Sequence, residues 1–243
     1  MVTESRSVNL KARPAPLSID LDRTAAIVVD MQNAFLSKGG MFDVAGYDLS
    51  GAPAAIQRNR ELLPVLRSAG VRIIYLKMSY SPDYADAGGP DSPNYHKELG
   101  MTLMRQHPQW WGKFVTAGSW DEEIHDEVAP EPGDVVICKQ RYSGFAGTNL
   151  DLVLKTFNVR YCLYTGVATN VCVETTLRDG FLLGYWPILV IDACNHSGPE
   201  HNRLATEWNV EHAFGWVTTT GDVLRALRGE RGMPQGTEGE RVS

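Results

Sequence analysis

The chain has 243 residues, of which 43% are hydrophobic and 21% are charged, and this composition suits a single α/β domain built around a buried sheet. The formal net charge of −6 argues against a general affinity for nucleic acid or for anionic membranes. No apolar run approaches the ~20 residues that are needed to span a bilayer.

A polar N-terminal arm (1–19) precedes the predicted domain (20–228). The domain opens with Thr24 to Asp30, a continuous apolar run closed by a carboxylate, which is typical of a buried parallel strand with an acid at its carboxyl end. Several glycines in the following stretch, 31–50, predict an irregular loop.

A helix and a second strand come next. Apolar side chains recur on one face of 52–69, and Gly70 ends the helix that this spacing predicts. The second strand covers 71–77. The stretch 78–119 is rich in Pro, Gly, Tyr and Trp and shows little periodicity apart from a helical turn or two at 99–106. So long an irregular stretch in a compact domain favours a lid or a binding loop, and a plain surface excursion is the alternative.

The second half of the domain alternates between strands and helices. The predicted strands cover 134–138, 160–165, 186–192 and a short piece at 213–217. A short helix is predicted to start near Trp120. Further predicted helices cover 148–157, with Thr148 as cap, and 199–209, and a final helical turn or two is predicted at 221–227. This alternation predicts a doubly wound, mostly parallel sheet with helices on both faces, in which ligands bind at the carboxyl ends of the strands. The composition of the tail (229–243) predicts disorder.

The stretch 166–176 reads as the end of a strand, a tight turn and the first turn of a helix that carries Cys172. Thr169 or Asn170 would be a suitable N-cap for that helix. Backbone N–H groups and the positive end of the helix dipole favour a thiolate at such a place, so we expect a lowered pKa for Cys172 and a role as nucleophile. The remaining cysteines lie within or at the ends of apolar runs and are assigned to the core: Cys138, Cys162 and Cys194.

Asp30, Lys139 and Cys172 follow the first, third and fourth predicted strands, so all three are expected at one rim of the sheet. A carboxylate whose pKa is raised by burial can take the proton of a thiol, and an ammonium group beside both favours the thiolate and holds the acid in place. Asp30 or Lys139 alone could equally form a strand-end salt bridge. Their coincidence with a cysteine predicts nucleophilic catalysis.

His196, just past the fifth strand, is an alternative base, because Cys–His pairs are a common catalytic arrangement. The alternative for His196 is an ordinary hydrogen-bonding role in a loop. The other histidines lack ligand spacing, so we expect no metal and no cofactor. A thiol-redox role is disfavoured because no resolving cysteine lies near Cys172 in the sequence.

Three stretches, 27–33, 139–145 and 166–174, resemble the isochorismatase-like cysteine hydrolases, and the similarity extends over about residues 20–225. This resemblance implies a Rossmann-like three-layer fold and an Asp30–Lys139–Cys172 triad. It also implies a cis peptide bond between Val167 and Ala168, and an oxyanion hole formed by the N–H groups of Ala168 and Cys172.

Within that family, the stretches 87–97, 118–121 and 174–181 are similar to the subgroup that hydrolyses ureidoacrylate, a linear ureide of pyrimidine breakdown. Cleavage of the terminal ureido C–N bond would yield an enamine and carbamate. The chain departs from the subgroup at Met78-Ser79-Tyr80 and at Trp111, positions expected to line the pocket. Biuret, triuret, an N-carbamoyl amino acid or another small amide therefore stay open as substrates. A non-catalytic binding module on the same fold is the alternative of another class.

Expected substrate contacts are polar or aromatic neighbours of the triad, namely Gln32, Tyr142 and Asn170, together with the pocket walls Tyr80, Trp110 and Trp111. Gln32 could instead only brace the turn after Asp30. The polar N-terminus has no apolar h-region of a secretory signal, so a cytoplasmic protein with reduced thiols is expected. The family resemblance further implies a homodimer or homotetramer.

Overall fold

The computed structural model describes residues 6–229, and within them the chain forms a small hairpin and a larger parallel sheet. In chain order the strands are β1 (Ser7–Leu10), β2 (Leu17–Asp20), β3 (Thr24–Val29), β4 (Arg72–Met78), β5 (Val135–Lys139), β6 (Tyr161–Val167), β7 (Trp186–Asn195) and β8 (Trp216–Thr218). Residues 1–5 of the predicted arm, and the predicted tail apart from Gly229, lie outside the described residues.

The larger sheet has the spatial order β5-β4-β3-β6-β7-β8, and every adjacent pair is parallel. The chain builds outward from β3 in one direction and from β6 in the other, so the order reverses between these two central strands. In open α/β sheets the crevice outside the carboxyl ends of the strands at such a reversal is where ligands bind. The topology therefore places the ends of β3 and β6 at the expected site.

The helices are α1 (Asn33–Leu36), α2 (Met41–Val44), α3 (Ala52–Ser68), α4 (Pro93–Lys97), α5 (Leu99–Gln106), α6 (Leu150–Thr156), α7 (Glu174–Leu182), α8 (Glu200–Asn209) and α9 (Thr220–Leu227). One face of the sheet packs against α3 and α9, and the other packs against α6 and α7, so each face has its own apolar cluster. The prediction of a doubly wound, three-layer α/β fold is confirmed. None of the helices in residues 6–229 has the length and apolarity that a bilayer span requires.

The hairpin of β1 and β2 was not predicted. Its strands pair antiparallel, with Leu10 opposite Leu17, and both of these side chains are buried together with Ile19. The apolar residues alternate with polar ones over only four positions in each strand, and this period-2 pattern is too short to stand out in a polar segment. The loop between the two strands meets β8 at the edge of the larger sheet, where Arg13 and Val217 exchange two backbone hydrogen bonds of 2.9 Å.

The long segment 78–119, which has little periodicity in sequence, is held in place by one buried carboxylate that accepts hydrogen bonds from backbone N–H groups. Asp121 accepts the N–H of Met41 at 2.9 Å through Oδ1 and the N–H of Val115 at 2.8 Å through Oδ2. Tyr80 and Val115 are joined by a further backbone bond of 2.8 Å. Burial raises the pKa of Asp121 to about 6 against these two donors. The long segment and α2 are thereby fastened to each other beside the carboxyl ends of the strands.

One core assignment is wrong. Cys138 is exposed, whereas Cys162 is buried and Cys194 is partly buried. β5 is the edge strand of the sheet, and its residues alternate in exposure, with Val136 and Cys138 on the more open side. An edge strand that is covered on one face only can carry apolar residues on both faces, so its sequence alone does not distinguish them.

Candidate active site

Asp30 and Lys139 form a fully buried ion pair at the carboxyl ends of β3 and β5. Lys139 Nζ lies 2.7 Å from Asp30 Oδ2, and both side chains have an exposed fraction of 0%. The second carboxylate oxygen, Oδ1, accepts the N–H of Met78 at 3.1 Å. Lys139 Nζ also donates to the carbonyl oxygen of Arg141 at 3.2 Å. These contacts hold both charges in one orientation.

Cys172 lies against this pair. It belongs to a wide helical turn, Thr169–Val173, that leads into α7, and its exposed fraction is 7%. Asp30 and Lys139 both lie near enough to the thiol to shift its pKa, Asp30 upward and Lys139 downward. The structure therefore brings an acid, an amine and a sulfur from three separate segments to one point.

The predicted capping of this turn is wrong. The turn begins after Ala168, and its start has no side-chain cap. Asn170 is used elsewhere: its Oδ1 accepts the N–H of Ser197 at 2.9 Å, and its Nδ2 donates to the carbonyl oxygen of Ser197 at 3.1 Å. Asn170 thus holds the loop after β7 against the turn that carries the cysteine.

The predicted lowering of the Cys172 pKa is also wrong. Burial raises the pKa of the thiol, and the positive charge of Lys139 opposes this rise only in part, while Asp30 adds to it. N–H groups at the start of a helix would lower the pKa of the thiol, but the fold removes the sulfur from water and places a carboxylate beside it. Burial and the neighbouring carboxylate thus favour the thiol over the thiolate.

The pKa values of the two residues beside the thiol, Asp30 and Lys139, are shifted as well. Burial raises the pKa of Asp30, and Lys139 opposes that shift through its charge and its hydrogen bond. Burial by itself would lower the pKa of Lys139, but its interactions with Asp30 and Cys172 together outweigh burial, so the pKa is raised. A carboxylate with raised proton affinity next to a neutral thiol is suited to receive the proton when the sulfur attacks.

The backbone before Cys172 has an unusual path. The Val167–Ala168 peptide bond is cis, and Gly166 has a φ of 113°. A Cβ at Gly166 would lie 2.0 Å from the carbonyl oxygen of Val29, so β6 can approach the end of β3 only with glycine there. This path places Ala168 in the wall of the cavity beside Cys172.

A cavity of about 620 Å³, including its open mouth, lies over Cys172. Its apolar walls come mainly from the helices after β3 and from the strand ends: Phe35, Met41, Phe42, Met78, Leu99 and Val171. Its polar lining consists of Tyr47, Lys97, Glu98, Tyr142 and Ser197. A small molecule with an apolar body and a few polar groups fits such a lining.

Few of the residues that line this cavity were predicted from the sequence. The segment with Phe35, Met41 and Phe42 was read as an irregular loop, yet it forms α1 and α2. Apolar pairs at Phe35-Leu36 and Met41-Phe42, directly after the first strand, were the available signal. Glu98 was missed too, because a single Glu before a short helix carries no distinctive pattern.

Of the expected substrate contacts, Tyr142 lines the cavity. Gln32 does not line it: Nε2 donates to the carbonyl oxygens of Met78 and Glu122 at 2.8 and 2.7 Å, and Oε1 accepts the N–H of Met78 at 2.8 Å. This arrangement corresponds to the bracing alternative for Gln32.

The expected aromatic walls lie outside this cavity lining too. Tyr80 is fully buried, and its hydroxyl accepts a hydrogen bond of 2.9 Å from Asn94. Trp111 is half exposed and packs against Tyr84. Trp110 packs edge-on against a phenylalanine, Phe114, in the same segment. Their role in this structure is to hold the long segment together.

His196 lies in a different depression. Its Nε2 is 3.4 Å from a carboxylate oxygen of Glu200, and it shares a second surface pocket with Asp192 and Asn195. In residues 6–229 no group of three or more His, Cys, Asp and Glu side chains is arranged to hold a metal ion.

The chain is similar to known proteins in sequence and in fold. The isochorismatase domain family matches residues 24–222. The ureidoacrylate amidohydrolase RutB of Azorhizobium caulinodans is 48% identical over 218 residues, which cover 90% of this chain and 96% of that protein. The RutB of Rhizobium rhizogenes is 47% identical, with 90% and 89% covered. The crystal structure of a cysteine hydrolase from Pseudomonas syringae pv. phaseolicola has a TM-score of 0.73 and 29% identity, and it covers 88% of this chain and 96% of its own.

Proposed function

Because this chain belongs to the isochorismatase domain family, we propose that it is a cysteine-dependent amidohydrolase of small linear ureides, with ureidoacrylate as the leading substrate. The observation that carries the proposal is the convergence of Cys172 with the buried Asp30–Lys139 pair at the floor of one cavity. Nucleophile, proton acceptor and fixed positive charge are the parts that acyl transfer from an amide requires.

In the first half of the reaction, Asp30 takes the proton of the Cys172 thiol while the sulfur attacks the carbonyl carbon of the terminal ureido group. The negative charge that develops on the carbonyl oxygen is placed near the N–H groups of Ala168 and Cys172, and a good donor of this kind is worth about 3–4 kcal/mol. Asp30 then gives its proton to the nitrogen that leaves. The products of this half are a carbamoyl thioester on Cys172 and an amine, which for ureidoacrylate is an enamine acid.

In the second half, water attacks the carbamoyl carbon and Asp30 takes a proton from it. The carbon–sulfur bond breaks, and the proton returns to the sulfur as carbamate leaves. Carbamate decomposes to ammonia and carbon dioxide. Lys139 keeps its charge throughout and stabilises the ionised form of Asp30.

The cavity lining suits a ureide with an acidic end. The apolar walls accommodate a short carbon chain, and Tyr142 offers a hydroxyl group beside the sulfur. Lys97, an exposed residue that also lines the cavity, provides a positive charge for a substrate carboxylate.

The direct test is ammonia release by the wild-type protein from a panel of ureidoacrylate, biuret, triuret, an N-carbamoyl amino acid and a simple amide. We expect the highest kcat/KM with ureidoacrylate. A higher value with another member of the panel would transfer the assignment to that substrate. Binding of ureidoacrylate without turnover of any compound would indicate a binding module instead.

Asp30→Asn is expected to lower kcat at least about 100-fold, because an amide cannot receive the thiol proton. The matched control is His196→Ala, which removes the alternative base and should leave kcat within about threefold. Steady-state kinetics with the active ureide measure both. Asp30 is not the base if its variant keeps more than about a tenth of the wild-type rate, and a comparable loss in the histidine variant would assign that role to His196.

We also propose that the protein is a homodimer or homotetramer. Large apolar side chains are exposed on α7 and α8, among them Leu182, Leu204 and Trp208. Isolated exposed apolar residues are ordinary, but a group on neighbouring helices favours an interface. Sedimentation velocity on the wild-type protein is expected to give a mass of two or four chains, and a single-chain mass at micromolar concentration would reject the proposal.

A further inference from the structure

Glu98 is a buried carboxylate in the wall of the catalytic cavity that the mechanism above does not use. Its exposed fraction is 3%. Oε1 accepts the N–H of Gly100 at 3.0 Å, and Oε2 accepts the N–H of Met101 at 2.8 Å, so the side chain caps α5. An ionised carboxylate has about four acceptor sites. Each oxygen therefore retains an acceptor site beyond its backbone bond.

A helix cap alone does not explain this residue. Ser, Thr, Asp and Asn are the preferred caps, and three of them, Ser, Thr and Asn, would bring no charge into an apolar wall. Burial raises the pKa of Glu98, and the two backbone N–H groups oppose the shift. Burying a carboxylate is costly unless hydrogen bonds satisfy it. A ligand with N–H donors would supply the hydrogen bonds that the protein leaves open.

Glu98 faces the same small space as the nucleophile. The hydroxyl of Tyr142 lies within electrostatic reach of both Glu98 and Cys172. Lys139 in turn acts on Glu98. Leu99 and Met41 contribute apolar surface to the same cavity wall. A molecule that reaches Cys172 in this cavity therefore passes within reach of the carboxylate.

We propose that Glu98 is a substrate-positioning residue whose carboxylate accepts N–H hydrogen bonds from the ureido nitrogens while the ureido carbonyl carbon lies against Cys172. This inference rests on the proposed function. A ureido group carries N–H donors on both nitrogens, and hydrogen bonds to an ionised acceptor are about twice as strong as neutral ones. The same negative charge repels a substrate carboxylate, so the acidic end of ureidoacrylate points to the mouth of the cavity and to Lys97.

The test compares Glu98→Gln with Asp134→Asn. Asp134 is also a largely buried carboxylate that accepts a backbone N–H, but it lies before β5, at the opposite end of the sheet. We expect Glu98→Gln to raise KM for the ureide about 10- to 100-fold, the range that follows from losing a hydrogen bond to a charged group. Its kcat should stay within about threefold. In Asp134→Asn both constants should stay near wild type.

A second variant and a second substrate distinguish the binding of the ureide by Glu98 from the capping of α5 by the same residue. Glu98→Ser keeps a residue suited to cap α5 but withdraws the carboxylate from the cavity. The wild-type protein should prefer a ureide with a free terminal NH₂ over its N,N-dimethyl analogue, and both Glu98 variants should lose most of that preference. Thermal melting of each variant shows whether the fold is kept.

The outcomes are distinct. If ureides are hydrolysed but both variants keep the wild-type KM and the wild-type preference, Glu98 is only a helix cap and this inference fails alone. If the wild-type protein neither binds nor hydrolyses any ureide, the proposed function fails and the inference fails with it. A raised KM that is equal for the NH₂ and N,N-dimethyl substrates would also overturn it, because the effect would not depend on the N–H donors.

Discussion

Cys172→Ala is expected to lower kcat for the ureide about 10⁴-fold or more, because the proposed reaction passes through a covalent bond to this sulfur. Removing a nucleophile that acts as one unit with its base costs nearly all of the chemical rate enhancement. Ammonia release under saturating substrate measures the loss. Cys138→Ala is the matched control: Cys138 is an exposed cysteine directly before Lys139, and its replacement should leave kcat within about twofold.

A carbamoyl adduct gives an independent readout of the same step. Wild-type protein quenched in acid during turnover should carry the mass of one carbamoyl group on the peptide with Cys172, and the alanine variant should not. Since burial raises the pKa of this thiol, slow alkylation of the resting protein near neutral pH is consistent with the role. Turnover by Cys172→Ala above about 1% of the wild-type rate would exclude covalent catalysis by this residue.

Lys139→Met is expected to lower the free energy of unfolding by about 3–5 kcal/mol, because it leaves Asp30 as an uncompensated charge with no exposed surface. Urea unfolding, followed by circular dichroism, measures the change. Lys155→Met is the matched control, since Lys155 pairs with Asp151 on the surface of α6, and exposed pairs contribute about 0–1 kcal/mol. The Lys139 variant should also lose most of its activity.

The double variant Asp30→Asn/Lys139→Met tests the source of that effect. If the cost comes from an unpaired buried charge, removing both charges should restore part of the stability, while activity stays lost. Equal destabilisation by Lys139→Met and Lys155→Met would contradict the buried-pair account. The account would also be contradicted if the double variant lost as much free energy of unfolding as the two single variants lose together.

The sheet and its helices follow from local patterns. The continuous apolar runs that predict β3, β4 and β7 are present because strands buried on both faces need apolar side chains throughout. The spacing of apolar residues in 52–69 predicts α3 to within one residue at its end. Where burial is one-sided or short, as in β5 and the β1–β2 hairpin, the pattern misassigns or misses residues such as Cys138 and Leu10.

By itself the sequence determines which segments carry Asp30, Lys139 and Cys172 and that each follows a strand, because parallel strands present their carboxyl ends at one edge. Only the tertiary structure decides the direction in which the pKa of the thiol shifts, because removal from water raises it whereas the start of a helix would lower it. It also decides which residues line the cavity. Glu98 and Phe42 reach it from segments far apart in sequence, whereas Gln32, two residues after Asp30, points into backbone hydrogen bonds. Contacts between distant segments depend on packing that no local pattern encodes.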